Sequence, residues 1–128
     1  GARSLQSAQK FANEHAVARA YEGYEALAAD PDIDVIYVAT IANTHVRCAE
    51  IAIEAGKHVL VEKPIALTAS DAVALAQKAR DAGVFLMEGM WTRAFPAIVK
   101  VRDLLTSGVI GDVFGVQCDF GWPADPNV

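Results

Sequence analysis

Residues 34–64 read DVIYVATIANTHVRCAEIAIEAGKHVLVEKP, and this stretch decides the fold. Its first seven residues form a β-branched and aromatic run, which is typical of a strand buried on both faces in a parallel sheet. A helical pattern follows and stops at Gly56, and the residues HVLV then predict a second buried strand. Strand, helix and strand together make one βαβ unit of about the 30 residues that such a unit needs.

The same alternation continues on both sides of this unit. Residues 68–83 predict a helix with a capping threonine at its start and a glycine at its end, and residues 96–108 predict a further helix that begins with proline. Residues 4–16 predict a helix upstream. Alternating helices and strands with short links indicate an open α/β sheet with flanking helices. We expect parallel strands near residues 34–39, 58–61 and 84–88.

The last segment breaks this rhythm. Residues 111–121 read GDVFGVQCDFG, in which apolar residues alternate with small or polar ones. A period of two is typical of a half-solvated strand in an antiparallel sheet. We therefore predict a domain boundary at residues 108–111, with a first domain over 1–110 and the start of a second, α+β domain over 111–128.

Composition excludes several classes of protein. Hydrophobic residues make up 53% of the 128, which argues against disorder, and a formal charge of −5 argues against binding nucleic acid. No apolar run is long enough to span a bilayer, and no signal peptide is visible. Cys48 and Cys118 have no metal-ligand spacing, so no metal site is expected, and they are typical of a reducing compartment. A cytoplasmic location is the expectation that follows.

Two stretches occupy the carboxyl ends of the first two predicted strands, where ligands bind in open α/β sheets. They are ATIANTH, residues 39–45, and EKP, residues 62–64. Glu62 could accept hydrogen bonds from ribose hydroxyls, and Lys63 could donate to a substrate oxygen on which charge develops. A surface ion pair at a strand end is the alternative interpretation of these two residues. Tyr37 is expected in the core.

The string AGKHVLVEKPIALT, residues 55–68, resembles the EKP signature of the glucose-fructose oxidoreductase, inositol dehydrogenase and MocA (Gfo/Idh/MocA) family. The resemblance extends through residues 32–64 in order and spacing, and it covers nearly the whole chain. The stretch MEGMWTRAFP, residues 87–96, is similar to the subgroup that contains dimeric dihydrodiol dehydrogenase and NADP-dependent xylose dehydrogenase.

The resemblance implies a Rossmann domain followed by an α+β substrate domain. It also implies an NAD(P)-dependent oxidoreductase acting on CH–OH groups, with hydride transfer between a nicotinamide and a sugar-like or cyclic alcohol or carbonyl carbon. Lys63 matches the catalytic lysine of the family, and Glu62 matches a residue near the nicotinamide ribose. The implied partners are a small sugar or polyol-like substrate and further copies of the chain in a homo-oligomer, with no nucleic acid and no membrane. The residues that match cofactor-binding positions are Thr40, Ile41, Asn43, His45, Glu62, Lys63, Trp91 and Arg93.

Two details of the matched segments concern conformation. Ile41 stands where many members of the family have proline, which leaves the shape of its loop open. The Lys63–Pro64 bond is expected to be cis, as the resemblance suggests. His45, taken without the resemblance, is a candidate helix cap.

Arg3 and Ser4 bear on the choice of cofactor. Chains that bind NAD commonly carry an acidic residue at the end of the second Rossmann strand, where it holds the ribose 2′-hydroxyl. The matching position here reads ARS, without an acid. A guanidinium suits a 2′-phosphate, so Arg3 and Ser4 predict NADP rather than NAD, although NAD stays possible.

The chain contains no G-x-G-x-x-G motif. We therefore expect a partial Rossmann-type sheet that lacks its first strand and glycine-rich loop, in an internal fragment whose family acid/base residue lies beyond residue 128. A non-catalytic dinucleotide-binding or regulatory module of the same fold is the alternative function. A structural piece that completes a partner is a third.

Overall fold

The computed structural model describes residues 1–121. Helices and parallel strands alternate between residues 35 and 106, as the sequence predicts. The elements are α1 (Leu5–Glu14), α2 (Tyr24–Ala28), β1 (Val35–Val38), a 3₁₀ turn (Ala42–Thr44), α3 (His45–Glu54), β2 (His58–Val61), α4 (Ala69–Asp81), β3 (Leu86–Glu88), a second 3₁₀ turn (Trp91–Ala94) and α5 (Pro96–Thr106).

The three strands form one parallel sheet in the order β1-β2-β3. Val35 pairs with His58 and Val38 with Val61, and Val61 pairs in turn with Glu88. The expected strands near 34–39, 58–61 and 84–88 are thus confirmed, and so is the parallel α/β fold class. Because all strands run the same way, their carboxyl ends meet at one edge of the sheet.

The core lies between this sheet and the helices α3 and α4. Ile36 and Val38 of β1, and Val59 and Val61 of β2, turn one set of side chains toward these helices and are buried. Ile53 of α3 and Leu75 of α4 are among the largest fully buried side chains. Burying each stabilises the fold by about 1.5–3 kcal/mol relative to leaving it in water.

The opposite face of the sheet corrects one expectation. β1 was predicted to be buried on both faces, but Val35 is 58% exposed and Tyr37 is 55% exposed. The run of apolar residues showed that the strand is parallel, yet helices pack against only one face of it within residues 1–90. Tyr37 is therefore a surface residue of this unit rather than a core residue.

Helix ends follow the sequence signals. Thr68 caps α4, because its Oγ1 accepts from the backbone N–H of Asp71 at 3.2 Å while its hydroxyl donates to the Asp71 carboxylate at 2.7 Å. Gly56 and Gly83, just past α3 and α4, take φ of +72° and +68°. These left-handed conformations favour glycine and turn the chain back toward the sheet.

Contacts divide the chain into two compact units, one over Gly1–Met90 and a second that begins at Trp91. The predicted domain boundary at 108–111 stays a prediction. Residues 112–121 contain no assigned strand, so the strand expected there is not observed, and the segment lies outside the parallel sheet as expected. Alternation shows which face of a strand could be buried, but it does not show whether a partner strand lies beside it. No helix within residues 1–121 has the length and apolar character needed to cross a membrane.

Candidate functional site

The candidate site lies at the carboxyl edge of the sheet in the first unit. Two segments meet there: the loop from Thr40 to His45 after β1, and the turn Glu62–Lys63–Pro64 after β2, called here the EKP turn. The Lys63–Pro64 bond is cis, as predicted. The side chain of Lys63 is exposed and makes no hydrogen bond or ion pair with the described residues. Its ammonium group therefore keeps its donors for a ligand.

Glu62 is held by two donors. The hydroxyl of Tyr37 donates a short hydrogen bond to Oε1 of Glu62, and the backbone N–H of Lys63 donates to Oε2 at 3.1 Å. The Tyr37 hydrogen bond, followed by that from the Lys63 backbone, lowers the pKa of Glu62. The same bond raises the pKa of the Tyr37 hydroxyl. Glu62 is thus an oriented carboxylate at neutral pH, with its side chain half-buried.

His45 ties the two segments together. It is the first residue of α3 and is only 1% exposed. Its Nδ1 lies 2.7 Å from the carbonyl oxygen of Pro64, and its Nε2 lies 3.0 Å from the carbonyl oxygen of Thr40. In either neutral tautomer the ring has one N–H, which donates to one of these two carbonyls. His45 is therefore not a helix cap, and its ring contacts the backbone of both the loop after β1 and the EKP turn.

The third strand holds the same turn from the other side. The Glu88 carboxylate accepts a hydrogen bond from the backbone N–H of Ile65 at 2.9 Å, and Gly89 donates its N–H to the carbonyl of Val61 at 2.6 Å. A Cβ at position 89 would lie 3.2 Å from that carbonyl oxygen and 3.5 Å from the Cα of Glu62. A side chain at position 89 would thus require the backbone at Val61 to shift by a few tenths of an ångström.

The loop after β1 is fixed by its own hydroxyls. The hydroxyl oxygen of Thr44 lies 2.8 Å from Oγ1 of Thr40 and 2.8 Å from the carbonyl oxygen of Ile41, either of which can accept its single proton, and it makes no capping bond to α3. Ile41 has φ −74° and ψ 146°, which is within the range that a proline ring imposes. The backbone at Ile41 is therefore one that a proline could also adopt. Ile41 is 70% exposed, and the side chain of Asn43 is exposed beside it, so both are available to a ligand.

Arg3 and Ser4 lie at the start of the chain. Ala2 forms a parallel bridge with Glu22, and Ser4 then caps α1 by accepting from the backbone N–H of Ser7 at 3.3 Å. Arg3, between these two anchored residues, is exposed and makes no ion pair with the described residues. A free guanidinium beside a helix N-terminus fits an anionic ligand.

Trp91 and Arg93 belong to the second unit. Both lie in the 3₁₀ turn Trp91–Ala94, and the Trp91 ring meets the Phe95 ring edge-on with centroids 4.9 Å apart. Their expected contact with a cofactor stays a prediction, as do the roles of all the other matched residues.

The structure adds three residues that sequence reasoning missed: Tyr37, Glu88 and Gly89. Glu88 ends β3 and Gly89 follows it, at the same edge of the sheet as the EKP turn, so their location could be predicted from the strand. The hydrogen-bond partner of Tyr37 could not be predicted in this way, because it depends on the register of β1 against β2.

Comparisons with known proteins place the chain among oxidoreductases. Residues 2–90 match the Gfo/Idh/MocA family model, described as an oxidoreductase family with an NAD-binding Rossmann fold. The chain is 46% identical over 120 residues to trans-1,2-dihydrobenzene-1,2-diol dehydrogenase of Danio rerio, and 41% identical over 120 residues to the same enzyme of Oryctolagus cuniculus. These alignments cover 94% of the chain and 36% of each relative, so the chain spans little more than a third of their length.

Solved structures of oxidoreductases also superpose on the chain. An NAD-binding oxidoreductase from Klebsiella pneumoniae superposes with a TM-score of 0.81 and 33% identity, over 86% of the chain and 29% of its own length. A 3-ketoreductase from Actinomadura kijaniata, solved with TDP-benzene and NADP, superposes with a TM-score of 0.74 and 37% identity, over 87% of the chain and 35% of its own length. The resemblance inferred from the EKP signature is confirmed, including the similarity to dihydrodiol dehydrogenases.

Proposed function

The chain belongs to the Gfo/Idh/MocA oxidoreductase family, and from this premise we propose that it supplies the catalytic lysine and part of the cofactor site of an NADP-dependent dehydrogenase. The substrate would be a small molecule with a secondary alcohol, such as a cyclic diol or a sugar, or the matching ketone. The relatives named as diol dehydrogenases and the 3-ketoreductase support this class of substrate.

One observation carries the proposal: Lys63 presents a free ammonium group at the carboxyl edge of a parallel sheet, on a turn held by all three strands. Supports of this kind suit a group that must be placed accurately. A surface ion pair between Glu62 and Lys63, the alternative considered for these residues, has no support in the structure, because no salt bridge joins the two side chains.

The residues fit a nicotinamide riboside. Glu62 is an ionised, oriented carboxylate whose remaining lone pairs can accept from ribose hydroxyls, as carboxylates do in dinucleotide sites. A bound nicotinamide would supply or accept the hydride at the substrate carbon. Lys63 would donate a hydrogen bond to the substrate oxygen and stabilise the negative charge that develops there, then help to move its proton.

The experiment compares Lys63→Met with Lys10→Met in the intact protein. Lys10 is exposed on α1 and, among residues 1–121, forms only a 3.9 Å surface ion pair with Glu14, so its loss should leave activity unchanged. Lys63→Met should lower kcat for NADP-dependent diol oxidation by about 10²–10⁴-fold. Its NADPH affinity, measured by fluorescence titration, should stay within about threefold, since only proton transfer and oxygen polarisation are lost.

Two results would reject parts of this proposal. Full turnover in Lys63→Met would remove Lys63 from the chemistry. A wild-type protein that binds NADPH but oxidises no diol or sugar would favour a non-catalytic dinucleotide-binding module instead.

We also propose that Arg3 selects NADP over NAD through the 2′-phosphate. A guanidinium forms charge-assisted bonds to a phosphate, and Arg3 is exposed beside the capped start of α1. Arg3→Ala should lower the ratio of kcat/KM for NADP to that for NAD by at least tenfold. The matched control is Arg80→Ala on α4, because within the described residues the Arg80 guanidinium donates only to Gln77 on its own helix. An unchanged ratio in Arg3→Ala would show that another group reads the phosphate.

A further inference from the structure

Tyr37 is an exposed aromatic residue whose hydroxyl has a specific partner. Its side chain projects from the face of the sheet opposite α3 and α4 and is 55% exposed, yet its hydroxyl reaches the Glu62 carboxylate. A phenylalanine at this position would present the same ring to the sheet. The hydroxyl therefore serves the carboxylate rather than the packing of the strand.

The sheet register explains how the two side chains meet. Tyr37 pairs with Leu60, and side chains alternate along a strand, so Leu60 and Glu62 project from the same face. Glu62 is then the diagonal neighbour of Tyr37, at a separation that an aromatic side chain can span. The contact is built into the pairing of β1 with β2.

Two donors fix the orientation of the Glu62 carboxylate. Oε1 accepts from Tyr37 and Oε2 accepts from the Lys63 backbone N–H, while about two further lone pairs stay available. The charged and titratable groups around it are Tyr37 on β1, the side chain of Lys63, and His45 at the start of α3. The pKa of Glu62 is lowered chiefly by the Tyr37 hydroxyl, which keeps the acceptor charged.

We propose that Tyr37 is a positioning residue that holds Glu62 in the orientation needed to accept hydrogen bonds from a vicinal diol of the ligand, namely the nicotinamide ribose. This inference rests on the proposed function for the identity of the ligand. Tyr37 acts through Glu62 and need not touch the cofactor itself.

The test compares Tyr37→Phe with Tyr24→Phe. The hydroxyl of Tyr24 makes no hydrogen bond within residues 1–121, so its removal controls for the general loss of a phenol. Tyr37→Phe should weaken NADPH binding by about three- to tenfold, the effect of one lost hydrogen bond. Binding of adenosine 2′,5′-bisphosphate, which lacks the nicotinamide ribose, should not change. Equal losses for both ligands would overturn the assignment to the ribose.

A second measurement reports on Glu62 directly. Carbon-13 NMR of the side-chain carboxyl should show that Tyr37→Phe raises the pKa of Glu62 toward its ordinary value, whereas Tyr24→Phe leaves it unchanged. An unchanged Glu62 titration would overturn the positioning role while the proposed function stands. Failure of the wild-type protein to bind NADPH would overturn the proposed function, and with it the ligand named here.

A double-mutant cycle separates positioning from any direct role of the phenol. In a Glu62→Ala background, Tyr37→Phe should change NADPH affinity by less than about twofold, because the hydroxyl then has no carboxylate to hold. A full three- to tenfold loss in that background would show that Tyr37 contacts the ligand independently and would reject the positioning role.

Discussion

Replacing His45 by leucine should destabilise the first unit more than any other single change at the candidate site. Leucine has similar bulk, but it removes both ring nitrogens from a position that is 1% exposed. The carbonyl oxygens of Thr40 and Pro64 lie 3.0 and 2.7 Å from the two ring nitrogens, and the one that accepts from the ring N–H then loses its donor. No other hydrogen bond to either oxygen is formed within the described part of the chain.

The magnitude follows from these two oxygens. A buried acceptor left without a donor costs about 1–3 kcal/mol, and water reaching the loop from the exposed side reduces that cost. We expect His45→Leu to lower the free energy of unfolding by about 1–3 kcal/mol, against a total of about 5–15 kcal/mol for a small domain. His45→Gln keeps an amide donor and should lose about half as much.

Urea unfolding followed by circular dichroism measures these differences. The control is Asn43→Ala, two residues earlier, whose exposed side chain makes no hydrogen bond within residues 1–121 and whose loss should cost less than about 0.5 kcal/mol. The slope of free energy against urea should be the same in all variants. If the leucine variant unfolds within about 0.5 kcal/mol of the wild type, then neither carbonyl depends on His45 for its hydrogen bond.

Three further variants test other supports of the fold. Gly89→Ala should lower the unfolding free energy by about 1–2 kcal/mol and weaken NADPH binding. The reason is that its Cβ would lie 3.2 Å from the carbonyl oxygen of Val61, a backbone atom that cannot easily move. A fully stable variant would show that β3 can shift. Thr68→Ala should cost about 1 kcal/mol in thermal or urea unfolding through the lost cap of α4, whereas Thr68→Ser should not. The Tyr21 hydroxyl and the Arg19 guanidinium lower the pKa of Asp30 to about 2. The stability that this carboxylate contributes is therefore present above pH 4 and is lost as the pH falls through 2. Melting temperatures followed with pH should show Asp30→Asn less stable than the wild type at pH 6, with the difference closing by pH 2.

Much of the fold could be predicted because its signals are local. Gly56 and Gly83 mark where helices must end, and Thr68 marks where one begins, since each effect depends only on neighbouring backbone. The buried strands follow from runs of β-branched residues, and the parallel sheet follows from the helices between them. Placing the EKP turn at the ligand-binding edge then needs only the rule that parallel strands share a carboxyl end.

The supports of the EKP turn could not be predicted, because they depend on register and on distant backbone. Tyr37 looks like any aromatic residue in a buried strand until β1 is paired with β2. His45 looks like a helix cap until the Pro64 carbonyl is placed above it. The same limit applies to the strand expected over residues 112–121, whose alternation does not identify a partner.

The alternation of side chains along β2 nevertheless fixes both the core and the position of Glu62 at the candidate site. Val59 and Val61 point into the core, so Leu60 and Glu62 must point to the opposite face, where Tyr37 lies. A slip of β2 by one residue would expose the two valines and turn Glu62 toward α3, away from its donor. The apolar burial that sets the register therefore also sets the position of the Glu62 carboxylate, and with it the backbone from which Lys63 projects.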